Sequence, residues 1–195
     1  MNYIEITAVI FTAISVYLAY KRNMWTWPLG IIGVIAYSVF FLESNAVANA
    51  ALQVYYILQC LYGWYYWSST KVNDEVIPKF STQKMMLVYI FSSSVLYIAI
   101  SLFCILVLGM PNNAMTDLDA MTTAISIVAS FMLARKLVYS WVLWVLVDFM
   151  YIYMFLSNAS YVSAVLYLGL LIISGKAYFD WSFKAIESEK AHETV

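Results

Sequence analysis

Several side chains in this sequence have types and spacings that could do recognition chemistry. Asn45, Asn49, Gln53, Tyr56 and Gly63 recur at intervals of four, four, three and seven, which is one face of a helix. Trp141, Trp144, Asp148 and Tyr151 recur at three, four and three, again one helical face. Trp27, Gly30, Val34 and Tyr37 form a matching stripe, and Ser163, Tyr167 and Ser174 a thinner one. All four stripes lie in apolar stretches. Polar side chains at mid-bilayer are costly and usually face the interior of a bundle. If the stripes meet, Trp27, Tyr37, Gln53, Trp141, Trp144, Asp148 and Tyr151 line one central cavity. Aromatic walls, amides and one acid suit a flat, polar, cationic organic molecule, because tryptophan and tyrosine faces attract cations and stack on rings.

Each feature has a plainer alternative. Trp27 and Trp141 lie near helix ends, where tryptophan often anchors at the membrane interface. Asn49 and Gln53 could bridge helices instead. Asp148 lies about ten residues into its helix, and every Lys and Arg maps to a helix end or a loop. A carboxylate so placed binds or gates, is held by hydrogen bonds, or carries a proton. No second buried acid and no buried histidine completes a proton relay, so passive flux is expected.

The elements that position these residues follow from composition. Of 195 residues, 64% are apolar and 11% charged, and mean hydropathy is +0.80. A soluble domain averages roughly 45–50% apolar and 25% charged. The chain is therefore expected in a lipid bilayer, as an all-α protein of seven transmembrane helices. The apolar segments run roughly over 3–20, 24–42, 46–67, 85–108, 115–134, 138–156 and 160–181. A charged, frayed tail follows Trp181. The N-terminus has no basic stretch before its apolar run, which suggests a retained helix rather than a signal peptide. A net charge of -1 points to no nucleic-acid partner. The single histidine, His192, is in the tail, which removes histidine-based proteolysis and histidine-rich metal sites. Cys60 and Cys104 read as packing residues. No catalytic set, metal site or cofactor is expected.

Charge placement sets the orientation. With the N-terminus outside and the C-terminus in the cytoplasm, all ten Lys and Arg residues fall inside. The outer loops keep Glu43, Asp117 and Asp119, the positive-inside pattern.

The chain also repeats itself. Shifted by 114 residues, 21–68 lies over 135–182 without a gap and gives nine identities in 48 positions. They include Trp27 with Trp141, Tyr37 with Tyr151 and Trp67 with Trp181. Three-helix units then span 1–67 and 111–182, joined by a loop and linker helix over 68–110, with a tail over 183–195. An odd linker gives both triads one orientation, the parallel 3+1+3 repeat of the sugar-transporting SWEET proteins.

The run Trp27-Pro28-Leu29-Gly30, then Leu52-Gln53-x-x-Tyr56, then Tyr62-Gly63-Trp64-Tyr65-x-Trp67, resembles the PnuC-type vitamin transporters. So does Trp141-x-x-Trp144-x-x-x-Asp148 with Leu166-Tyr167 and the closing Trp181. The resemblance spans nearly the whole chain. It implies a bacterial inner-membrane carrier with a SWEET-like fold, working by facilitated diffusion, its substrate trapped by an intracellular kinase. Taken with the stripes, the candidate substrate-binding residues are Trp27, Tyr37, Asn49, Gln53, Tyr56, Trp141, Trp144, Asp148, Tyr151 and Tyr167, and a homotrimer is an option because trimers occur among relatives. Family substrates include nicotinamide riboside, thiamine, riboflavin and deoxynucleosides. Nicotinamide riboside carriers tend to have Asn or Asp after the second Trp of WxxW; here it is Val145. That favours thiamine, also a flat cation; riboflavin, neutral and larger, ranks third. A SWEET-type sugar carrier is the other alternative. No Pro-Gln dipeptide is present, which disfavours the PQ-loop group.

The topology has a direct test. In a background lacking Cys60 and Cys104, single cysteines at Asp117 should label from outside. Those at Lys71 or in the tail should label only after permeabilisation. Labelling of an Arg135 cysteine from outside would overturn the seven-span order.

Overall fold

The computed structural model describes residues 3–43, 47–72, 74–159 and 161–193. Among these it forms seven helices: α1 (Tyr3–Tyr20), α2 (Thr26–Glu43), α3 (Val47–Ser69), α4 (Gln83–Leu106), α5 (Ala114–Ala134), α6 (Ser140–Ser157) and α7 (Tyr161–Glu193). α4 to α7 contain stretches long and apolar enough to cross a membrane: Gln83–Leu106, Ala114–Ala134, Ser140–Ser157 and Ser163–Ala191. α1 and α2 supply shorter apolar helices. In α3, buried Gln53 and Gln59 dilute the apolar character.

Helix ends follow local side-chain chemistry. Asn113 Oδ1 accepts from the backbone N–H groups of Met115 and Thr116, both at 3.0 Å, and caps α5. Thr82 does the same for α4 by accepting from Met85 N. Gly109, at φ +65°, follows the end of α4. The last helix departs from the expected frayed tail. α7 continues through Glu193, which adds about 18 Å beyond Trp181 at 1.5 Å per residue. Lys184 pairs with Glu187 at 3.3 Å and Ala185 is buried, so this segment has both local and packing support.

The chain divides into two compact units. The first holds Met1–Ile77 with Ala134–Lys136. Here Ser15 Oγ donates to the Thr26 carbonyl at 2.8 Å and Thr26 Oγ1 to the Ser15 carbonyl at 2.9 Å, which ties α1 to the start of α2. α2 meets α3 where the Trp27 ring lies on Gly63. A Cβ at Gly63 would sit 2.3 Å from that ring. The three residues from the α5–α6 turn finish the end of α3. Trp67 Nε1 donates to the Ala134 carbonyl at 3.1 Å, and buried Lys136 donates from Nζ to the Thr70 carbonyl at 2.7 Å. Arg135 stacks over Tyr66 at 5.2 Å.

The second unit holds Pro78–Leu133 and Leu137–Val195. Val128, Met132 and Leu137 form its core cluster, with Met85, Tyr89 and Leu96 of α4 packed against it. The rest of α4 turns large apolar side chains outward, such as Leu87, Phe91 and Leu106. α5 buries small residues, including Ala120, Ala124 and Ala129, which allow close helix approach.

The 114-residue register recurs in the backbone. Arg22 and Lys136 both adopt the left-handed conformation, at φ 56° and 61°. Asn23 N bonds the Leu18 carbonyl at 2.9 Å, and Leu137 N the Met132 carbonyl at 3.0 Å. Thr26 N bonds the Asn23 carbonyl, and Ser140 N the Leu137 carbonyl, both at 3.1 Å. The same turn is built twice.

Gly63 should be intolerant of any side chain. Ala gains about 0.5–1 kcal/mol of helix propensity over Gly, but overpacking against a fixed indole costs about 1–3 kcal/mol. Gly63→Ala should lower the melting temperature in detergent. Gly169→Ala, with nothing within 4 Å of the new methyl, should hold or raise it. Equal melting of the two variants would refute the close contact.

Candidate substrate-binding site

The seam between α6 and α7 is built in steps of seven. Trp141 meets Trp181 edge to face, with ring centroids 5.4 Å apart at 81°. Seven residues on, Ser174 Oγ donates to Asp148 Oδ2 at 3.0 Å. Seven further, Phe155 meets Tyr167 at 5.3 Å, and Tyr151 closes on Tyr167 at 4.6 Å. Seven-residue steps on both helices suit an antiparallel pair packed near parallel axes. Asp148 is 3% exposed and Ser174 2%. Trp144, one turn from Asp148, is half-buried.

The first unit repeats this plan with different chemistry. Trp27 meets Trp67 edge to face at 5.0 Å and 87°. At the next register position the sequence has Val34 and Cys60 where the second half has Asp148 and Ser174. Gln53 is buried on α3. Tyr56 is half-buried against Tyr55 at 5.3 Å, and Tyr37 is half-buried on α2. Asn49 is on α3, but its side chain lies outside the described residues, as does Asn45.

The structure therefore brings Asp148, Tyr151 and Tyr167 onto one seam with Trp141 at its end. Trp27 and Trp141, 4% and 1% exposed, are packed in helix contacts and do not sit at an exposed interface. Neither indole N–H has an acceptor among the described residues.

Some participants were missed in the sequence. Ser174 lies on the α7 stripe, but that stripe alone does not match it to Asp148. Pairing the stripes antiparallel in steps of seven would have found it. Trp67 and Trp181 were visible as an identity of the repeat but not as partners of Trp27 and Trp141. α5 carries buried hydroxyls at Thr122, Ser126 and Ser130, spaced by four. Their spacing was the available signal. Among the described residues no cluster of His, Cys, Asp or Glu could hold a metal ion. An apolar groove bounded by Tyr3, Thr7, Ile32 and Val39 lies on α1 and α2, and no candidate residue lines it.

Burial separates the two tryptophans of WxxW. Trp141→Ala removes a fully packed ring and should cost about 3–5 kcal/mol, a drop in Tm on the order of 10 °C. Trp144→Ala should cost much less. Differential scanning fluorimetry in detergent compares them, and the reverse order would contradict the assignment of Trp141 to packing.

Comparison with known proteins agrees with the transporter-like arrangement. The chain is 24% identical over 197 residues to the nicotinamide riboside transporter PnuC of Escherichia coli, covering 89% of this chain and 82% of that one. It is 28% identical over 179 residues to the riboflavin/roseoflavin transporter RibM of Streptomyces davaonensis, covering 88% and 81%. Its fold is similar to the crystal structure of the vitamin B3 transporter PnuC, with a TM-score of 0.74 at 19% identity over 95% of this chain and 83% of that one. Residues 2–183 match the family described as Nicotinamide mononucleotide transporter, and the chain belongs to that family of membrane transporters.

Proposed function

We propose that this chain is a carrier of the bacterial inner membrane that moves a small vitamin with a flat cationic ring, thiamine or nicotinamide riboside, down its gradient. Asp148 is the observation that carries this reading. It is a buried carboxylate on a helix seam with one hydroxyl donor, Ser174, and tyrosine rings one turn away. An ionised group at such a site is stabilised by an arriving cation. Trp144, Asp148, Tyr151 and Tyr167 contact the substrate from the second half, and Tyr37, Asn49, Gln53 and Tyr56 from the first. Trp27 and Trp141 hold the helices that present them. All seven helices span the membrane as two parallel triads linked by α4, with the N-terminus outside and the C-terminus in the cytoplasm. The duplicated turns and tryptophan pairs support the triads, and the basic loops support the orientation. Intracellular phosphorylation retains the substrate, and three copies assemble in the membrane.

Val145 beside Trp144 favours thiamine over nicotinamide riboside. Riboflavin is the second reading, because RibM is named for it and shares 28% identity with this chain. Calorimetric titration of the purified protein with all three ligands decides. A desolvated cation–aromatic contact contributes about 2 kcal/mol, roughly 30-fold in affinity, so Trp144→Ala should weaken the cationic ligands by that order. Asp148→Asn should weaken them far more than riboflavin. Flux into proteoliposomes should follow the substrate gradient and ignore an imposed pH gradient. Preference of the wild type for riboflavin would defeat the cation reading.

A further inference from the structure

The two halves share a turn and a tryptophan pair but differ at the next step of the seam. Where the second half pairs Asp148 with Ser174, the matching positions of the first hold Val34 and Cys60. The polar pair thus belongs to one copy of a duplicated framework. We propose that Ser174 is the positioning residue for Asp148: it holds Oδ2 and thereby directs Oδ1 toward a cationic substrate. This rests on the function proposed above.

The geometry supports it in three ways. Ser174 and Asp148 are both more than nine-tenths buried, on different helices, so the 3.0 Å bond joins two fixed backbones. A carboxylate has about four acceptor positions. Among the described residues no other side chain donates to Asp148, so Oδ1 keeps its acceptor capacity. The neighbours along the seam are aromatic on either side, Trp141 with Trp181 and Tyr151 with Tyr167. They offer the carboxylate no competing charge and leave its direction to one hydroxyl. Without that hydroxyl the carboxylate can rotate, and its field no longer aims at one point.

The test uses the full-length protein in detergent, titrated with thiamine and nicotinamide riboside as cations and riboflavin as the neutral ring. A hydrogen bond to a charged group contributes about 1.5–3 kcal/mol, so Ser174→Ala should weaken both cations about 10-fold or more. Riboflavin should change by less than about twofold, within the scatter of a non-contacting substitution. Ser174→Thr, which keeps the hydroxyl, should restore cation binding. Ser174→Cys, nearly isosteric and a weak donor, should fall between. Cys is the residue at the matching position of the first half, so this variant covers the case in which Ala or Thr unfolds the protein. Equal weakening of cations and riboflavin would make Ser174 a packing residue and overturn the proposal. Unchanged cation binding in Ser174→Ala and Ser174→Cys, with Asp148→Asn still impaired, would overturn it and leave the cation reading intact. Wild-type cation binding in Asp148→Asn would instead defeat that reading itself.

Discussion

Two tryptophans set edge to face close one end of each half of this protein, and the helix seams are registered from that point. Edge-to-face contact is favoured because the positive ring edge meets the negative face of its partner. Within lipid, helices have no hydrophobic reason to associate, so packing geometry carries the association. In the first half the contact needs Gly63 as a floor, since any side chain there would enter the Trp27 ring. Once Trp141 and Trp181 are in register, steps of seven bring Asp148 to Ser174 and Phe155 to Tyr167. A shift by one residue at the tryptophans would separate the acid from its donor.

The repeated turn and tryptophan pair frame a step whose chemistry differs between the two halves. The framework tolerates chemistry at the middle step because the steps on either side hold the helices. Val34 and Cys60 occupy that step in the first half, while Asp148 and Ser174 give it an acid and a hydroxyl in the second. The acid sits between aromatic contacts on either side, and a fixed electrostatic site has most value when it is held in place before its ligand arrives.

Much of this was legible before any coordinates. Apolar segments separated by Lys21-Arg22, Pro111-Asn112-Asn113 and Arg135-Lys136 located all seven helices, because turn residues and basic pairs punctuate them sharply. The 114-residue identities anticipated a turn that recurs with several of the same backbone hydrogen bonds. Asp148 stood out because an acid in an apolar run is rare. Its donor did not, since a serine in a membrane helix usually satisfies itself on its own backbone. The burial of Trp27 and Trp141 was also hidden. Sequence position alone cannot separate a tryptophan at the lipid interface from one turned inward onto a glycine. The extension of α7 was missed because a charged composition reads as a solvated end, whereas Ala185 gives it a packed face.

The turn at Ala134–Lys136 has a genetic consequence. It belongs to the compact unit of the first three helices, yet it is encoded more than sixty residues after they end. A gene fragment stopping after α3 would leave the Trp67 N–H without the Ala134 carbonyl and the Thr70 carbonyl without the Lys136 ammonium. An orphaned buried donor costs about 1–3 kcal/mol. The first unit is completed by residues encoded far beyond its own three helices.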